Sequence, residues 1–126
     1  MNRVSQAQSS ATASRRILIV EDEVLIAMVL EDVLDMLGHQ VVGTPSTFAE
    51  AEAAITAGGF DLAILDVNLG HDPVFPLADR LQSAGTPIIF ATGSHRDSLP
   101  PRFAAAPVLE KPYAVQAVET ALGELA

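Results

Sequence analysis

Five short aliphatic runs punctuate the chain: Ile17–Val20, Gln40–Gly43, Leu62–Leu65, Pro87–Phe90 and Val108–Leu109. Apart from Gln40–Gly43 they lack polar alternation, the pattern of parallel strands buried on both faces. Stretches with helical period separate them. Val24–Leu37 sets Ile26, Leu30, Val33, Leu34 and Leu37 on one stripe, and Gly38 follows as a stop. Thr47–Ala57 carries Phe48, Ala51 and Ile55 and ends at Gly58-Gly59; Phe75–Ala84 ends at Gly85. Ala114–Leu125 carries Val115, Val118, Leu122 and Leu125. The fourth connection, Ser94–Ala106, has Pro100-Pro101 in its middle, so any helix there starts after the prolines or stays short. This segment is predicted to be the most mobile part of the folded region.

Strand and helix in alternation imply a parallel sheet covered by helices on both faces, with right-handed crossovers. The predicted fold is a flavodoxin-like (βα)5 doubly wound sheet of strand order 2-1-3-4-5. Strands 1 and 3 then adjoin at the switch point, where ligands bind beyond the carboxyl ends of the strands. At 126 residues the chain is one domain. Residues 1–15, rich in Ser, Ala and Gln, read as a disordered tail, and 16–126 as the folded unit. A chain of this length leaves no room for a separate output module.

Composition narrows the chemistry. Sixteen acidic against seven basic residues leave a net charge of −9, which argues against nucleic-acid binding and against docking on anionic lipid. With no cysteine, thiolate catalysis, disulfides and Cys-ligated metals are excluded. His39, His71 and His95 are too far apart in sequence to suggest a ligand set. No apolar run reaches membrane-spanning length. Arg15-Arg16 precedes only four apolar residues before Glu21-Asp22-Glu23, which is not a secretion signal. A cytoplasmic location is expected.

The polar residues that follow the strands converge on one rim. Strand 1 leads to Glu21, Asp22 and Glu23; strand 3 to Asp66 and Asn68; strand 4 to Thr92 and Gly93; strand 5 to Glu110, Lys111 and Pro112. Strand 2 supplies nothing comparable. Carboxylates from adjoining strands repel unless a cation lies between them, and an oxygen-only ligand set favours a hard ion such as Mg²⁺. Lys111 is the only lysine in the chain. Singly, each residue has an ordinary explanation: a strand-end Asp as a helix cap, the 21–23 acids as favourable charge at a helix start, the lysine as a surface charge. Together they suit a phosphoryl group held over a carboxylate, with a metal and an ammonium neutralising its oxygens.

The motifs ILIVEDE (17–23), ILDVNL (64–69), FATG (90–93) and LEKPY (109–113), in this order, resemble the receiver domain of bacterial response regulators over residues 16–126. The resemblance implies that Asp66 is the phosphoacceptor and Asp22 the main Mg²⁺ carboxylate. Glu21 stands where the family usually has another Asp and acts through water, and Asn68 ligates the metal by its backbone carbonyl. It further implies that Thr92 and Lys111 bind the phosphoryl group beside Gly93, and that the Lys111-Pro112 bond is cis. The implied partners are a phosphohistidine-bearing sensor kinase and an unidentified downstream protein, with the regulator a monomer or weak dimer.

Two departures stand out. Val108 occupies the place of the usual aromatic switch residue, and the fourth helix region is proline-broken. With FATG and PVLEKPY these traits resemble the stand-alone FAT GUY receivers of alphaproteobacteria, often served by HWE-type kinases, although Ser94 and His95 replace the end of that motif. A phosphate sink or phosphotransfer intermediate would use the same residues, and a pseudo-receiver would have lost them. A haloacid-dehalogenase-type phosphatase wants D-x-D after strand 1, where this chain has Glu21-Asp22-Glu23. In a flavodoxin-type cofactor binder an acidic first loop would repel the phosphate.

Overall fold

The computed structural model describes residues 14–93 and 99–125. Five parallel strands, β1 (Arg16–Val20), β2 (Gln40–Gly43), β3 (Leu62–Asp66), β6 (Ile88–Thr92) and β7 (Val108–Glu110), form one sheet of order β2-β1-β3-β6-β7. This is the flavodoxin-like order, interrupted in numbering by a two-stranded hairpin, β4 (Asn68–Leu69) with β5 (Asp72–Pro73). The sequence reading did not find this hairpin. Helices α1 (Val24–Met36), α2 (Phe48–Ala57), α3 (Phe75–Ser83) and α4 (Val115–Gly123) cover the sheet.

Pleating sends alternate side chains of each strand to opposite faces. Ile17, Ile19, Ile64 and Ile89 join Leu30, Leu34 and Val118 in the core beneath α1 and α4. Leu18, Val20, Leu65 and Phe90 join Ala51, Leu77 and Leu81 in the core beneath α2 and α3. Continuous burial of β1, β3 and β6 explains their unbroken aliphatic runs. At the start of α2, Thr47 accepts a hydrogen bond from the Glu50 N–H at 3.1 Å, a side-chain N-cap.

Several expectations need correction. In α1 the buried stripe is Ala27, Leu30, Val33 and Leu34, while Ile26 and Leu37 are half-buried. Val115 opens α4 and is exposed, because the helix turns Val118, Ala121 and Leu122 inward instead. Between Gly93 and β7 the described residues form only a 3₁₀ turn, Pro101–Phe103. Its Phe103 is buried against Phe75 and Phe90, with ring centroids 6.0 and 5.2 Å away, and Arg102 is clasped by Asp79 at 2.8 and 3.1 Å. The described part of the proline-broken connection is therefore packed, while the expectation of mobility for residues 94–98 falls outside the described residues. So does that of a tail over 1–13. Arg15, read as part of that tail, is tied to the fold: its N–H donates to His39 Nδ1 at 3.1 Å and its guanidinium to the Leu122 carbonyl at 3.2 Å.

Candidate phosphoacceptor site

Every strand of the sheet reaches the rim. Glu21 follows β1 and donates its N–H to the Pro45 carbonyl at 3.2 Å, so the loop after β2 also takes part. Glu21 Oε2 accepts from the Glu23 N–H at 3.1 Å and holds the entry to α1. Asp66 and Thr92 are the last residues of β3 and β6, not the first loop residues. Extension of the sheet explains both: Asp66 pairs with Ala91, and Thr92 with Glu110. The Lys111 N–H donates to the Thr92 carbonyl at 3.0 Å, and the Lys111-Pro112 bond is cis.

The side chains meet. Lys111 Nζ lies 2.8 Å from Glu21 Oε1 and 3.1 Å from Asp66 Oδ2. Asp66 Oδ1 accepts from the Asn68 N–H at 3.3 Å, and Asp22 Oδ2 accepts from the Gly70 N–H at 2.8 Å. Glu21, Asp66 and Thr92 are 3, 8 and 5% exposed, whereas Asp22 sits toward the opening. Gly93 has open space where a Cβ would stand. Val108 is half-buried against the core below α3. His71 is exposed at the tip of the β4–β5 hairpin, His39 lies at the far end of the sheet, and His95 is outside the described residues.

Charge at the site is unbalanced: three carboxylates share one ammonium. Burial, helped by the Asp66 charge and opposed by Lys111, pushes the Glu21 carboxyl up to about 7. Burial is the largest single influence on Asp22 and raises its pKa, but the hydrogen bonds from the Gly70 N–H, Glu21, Asp66 and its own backbone together outweigh it and hold that carboxyl below its ordinary value. For Lys111 burial favours the neutral amine; Glu21 and Asp66 outweigh it and raise the pKa. Burial and the same two carboxylates raise the Tyr113 phenol. Tyr113 and Gly70 are site neighbours that sequence reasoning did not single out.

The donor set fits a divalent cation. One carboxylate oxygen each from Glu21, Asp22 and Asp66 lies within 4.8 Å of the others. Ligands on opposite sides of Mg²⁺ stand about 4.2 Å apart, so the cluster needs little contraction to close on the ion. The hairpin follows the acceptor directly. Pro73 faces Asn68 and has no N–H to give, and the next amide, Val74, donates to the Val67 carbonyl at 3.0 Å.

Comparison with known proteins decides the family. The profile of the response regulator receiver domain matches residues 17–122. The chain belongs to that family. Its members are signalling proteins of two-component systems, and membership displaces the phosphatase and cofactor-binding readings of the same topology. The receiver is 36% identical over 86 residues to the phyllosphere-induced regulator PhyR of Methylorubrum extorquens, covering 66% of this chain and 32% of PhyR. It thus spans about a third of that curated relative. The solution structure of SdrG from Sphingomonas melonis Fr1 superposes with a TM-score of 0.81 at 48% identity, covering 90% of this chain and 98% of SdrG. The BeF3-activated conformation of SdrG, from Pseudomonas melonis Fr1, gives 0.76 at 50% identity over 87% and 94% of the two chains. Among the described residues no helix is long and apolar enough to cross a membrane.

Proposed function

We propose that this receiver, residues 16–126, is a single-domain response regulator that takes a phosphoryl group on Asp66. The carrying observation is Lys111 Nζ poised between Glu21 and Asp66. An Asp66 oxygen attacks phosphorus in line, the N–P bond of a donor phosphohistidine breaks, and the imidazole leaves with the bonding pair. Asp22, Asp66 and the Asn68 carbonyl would hold Mg²⁺, with Glu21 acting through water; the ion supplies charge neutralisation for the phosphoryl oxygens. Lys111 pairs with the incoming oxygens, Thr92 gives a hydroxyl hydrogen bond, and Gly93 leaves room for them.

The signal leaves Thr92 through packing. Val108 has no ring to swing, but Phe90 lies two residues before Thr92 and contacts Phe103 at a ring distance of 5.2 Å. A shift at Thr92 thereby reaches the Pro101–Phe103 turn and the surface around it, where a downstream protein reads it.

The donor is a sensor histidine kinase, of HWE type on the FAT GUY resemblance. Val24, Leu25, Met28 and Val29 are exposed on the first two turns of α1, directly after the site carboxylates. That apolar face suits a partner that must bring its phosphohistidine to Asp66. The regulator works in the cytoplasm as a monomer or weak dimer. Labelling with a purified kinase and with phosphoramidate tests the reading. It should require Mg²⁺ and vanish in Asp66→Asn; robust labelling of that variant at another residue overturns it.

A further inference from the structure

The β4–β5 hairpin is the one described element of the rim that the resemblance did not anticipate, and its backbone touches two of the three clustered carboxylates. The Asn68 N–H donates to Asp66 Oδ1 at 3.3 Å, and two residues on the Gly70 N–H donates to Asp22 Oδ2 at 2.8 Å. Amides at i and i+2 of an extended strand point the same way. The first residue of β4 and the turn residue just after that strand therefore address the acceptor and the outer carboxylate together. The hairpin has little freedom to drift. Val67, Leu69 and Val74 around it are buried in the core below α3, and the Val74 N–H closes its base on the Val67 carbonyl at 3.0 Å. Gly70 has φ 61°, in the left-handed region, where a side chain is strained. A Cβ there would stand 4.0 Å from Asp22 Oδ2, so backbone geometry and not crowding calls for glycine.

We infer that Gly70 is a positioning residue: its N–H fixes the Asp22 carboxylate in the orientation that receives Mg²⁺, so that the loop carrying the acceptor also sets the metal ligand contributed by β1. The physical reason is entropic and electrostatic. Asp22 is more open to solvent than Glu21 or Asp66 and would otherwise sample several rotamers; a charge-assisted hydrogen bond to one oxygen removes that freedom before the ion arrives. This inference rests on the Mg²⁺ reading of the site proposed above.

Calorimetric titration of Mg²⁺ into the unphosphorylated full chain is the test, with Gly70→Val and Gly70→Asn as the pair. Valine does not accept φ 61°, so it takes the amide off Asp22. Asparagine accepts that φ and keeps the amide. Gly70→Val should raise the Mg²⁺ dissociation constant about tenfold, while phosphoramidate labelling at saturating Mg²⁺ stays near the wild-type rate. Gly70→Asn should stay within about twofold of wild type. Equal affinities in the two variants overturn the inference, and so does a Gly70→Val labelling rate that saturating Mg²⁺ leaves depressed. If Gly70→Val does not fold, the wild-type Gly70 amide resonance decides. It should shift on Mg²⁺ addition and lose its hydrogen-bonded position in Asp22→Ala; an amide unmoved by Asp22→Ala overturns the inference. Wild-type protein that takes up no Mg²⁺ refutes the metal reading instead, and the Asp22→Ala shift still tests the contact.

Discussion

The two ends of the sheet treat charge in opposite ways. At the amino end, Arg16 and Asp61 pair at 3.1 Å in the open, and the Arg15 N–H rests on His39 Nδ1. At the carboxyl end, three carboxylates crowd one ammonium, and two of them are buried. Exposed pairs gain little because water screens them. Buried, unbalanced charge is costly, and the fold gathers it at one rim, where a divalent cation would offset the excess negative charge. The amino end shows ordinary surface electrostatics; the carboxyl end holds an excess of buried negative charge.

The largest test of this contrast is Lys111→Met. It removes the only cation that the described residues place among the clustered carboxylates and should destabilise the protein by about 2–3 kcal/mol in denaturant melts without divalent ions. Arg16→Met at the other end should change the melt little. Comparable losses at the two ends would erase the contrast. Next comes the metal. At Mg²⁺ tenfold above its dissociation constant, wild type should gain about 1.4 kcal/mol of stability. Asp22→Ala should forfeit most of that gain and Glu23→Ala should keep it; equal behaviour would mean that the ligands are misassigned.

Neutralising an acid at the crowded end should stabilise the unloaded protein. Asp66→Asn is expected to raise stability by about 1 kcal/mol while abolishing labelling, since it relieves like-charge repulsion. A clear loss of stability would show that the Lys111 pairing outweighs that repulsion. The remaining effects are in pH. The Glu21 carboxyl, raised to about 7 from 4.5, favours its protonated form in the fold. Its stabilising contribution is complete below about pH 4.5 and is lost as pH rises through about 7. His39 runs the other way. Burial first, then Arg15, lowers its pKa from 6.5, so its contribution is present above pH 6.5 and is lost as pH falls through the lower folded value. Stability curves of Glu21→Gln and His39→Gln without Mg²⁺ should therefore deviate from wild type in opposite directions. A shared direction would contradict the division between the ends.

Much of this could be read from the chain. Unbroken aliphatic runs such as Ile17–Val20 and Leu62–Leu65 encode burial on both faces, and that alone implies a parallel sheet with helices on each side. Strand-end placement then brings Asp22, Asp66, Thr92 and Lys111 to one rim, because in such a sheet all carboxyl ends point the same way. Strand limits were less legible. Thr92 reads as a loop residue until its pairing with Glu110 is seen. Phe103 reads as part of a loose loop until Phe75 and Phe90 are found against it. The hairpin after Asp66 was invisible, since two-residue strands are too short to show a period.

What residue order determined on its own was the fold class and the membership of the site, for periodicity and strand-end chemistry are local properties of the chain. What only the tertiary structure decided was which groups touch: Lys111 between Glu21 and Asp66, the Pro45 carbonyl on Glu21, and the Gly70 amide on Asp22. Those contacts join segments far apart in sequence. They depend on the register of neighbouring strands and on a turn with φ 61°, which packing sets over the whole molecule and no local pattern records.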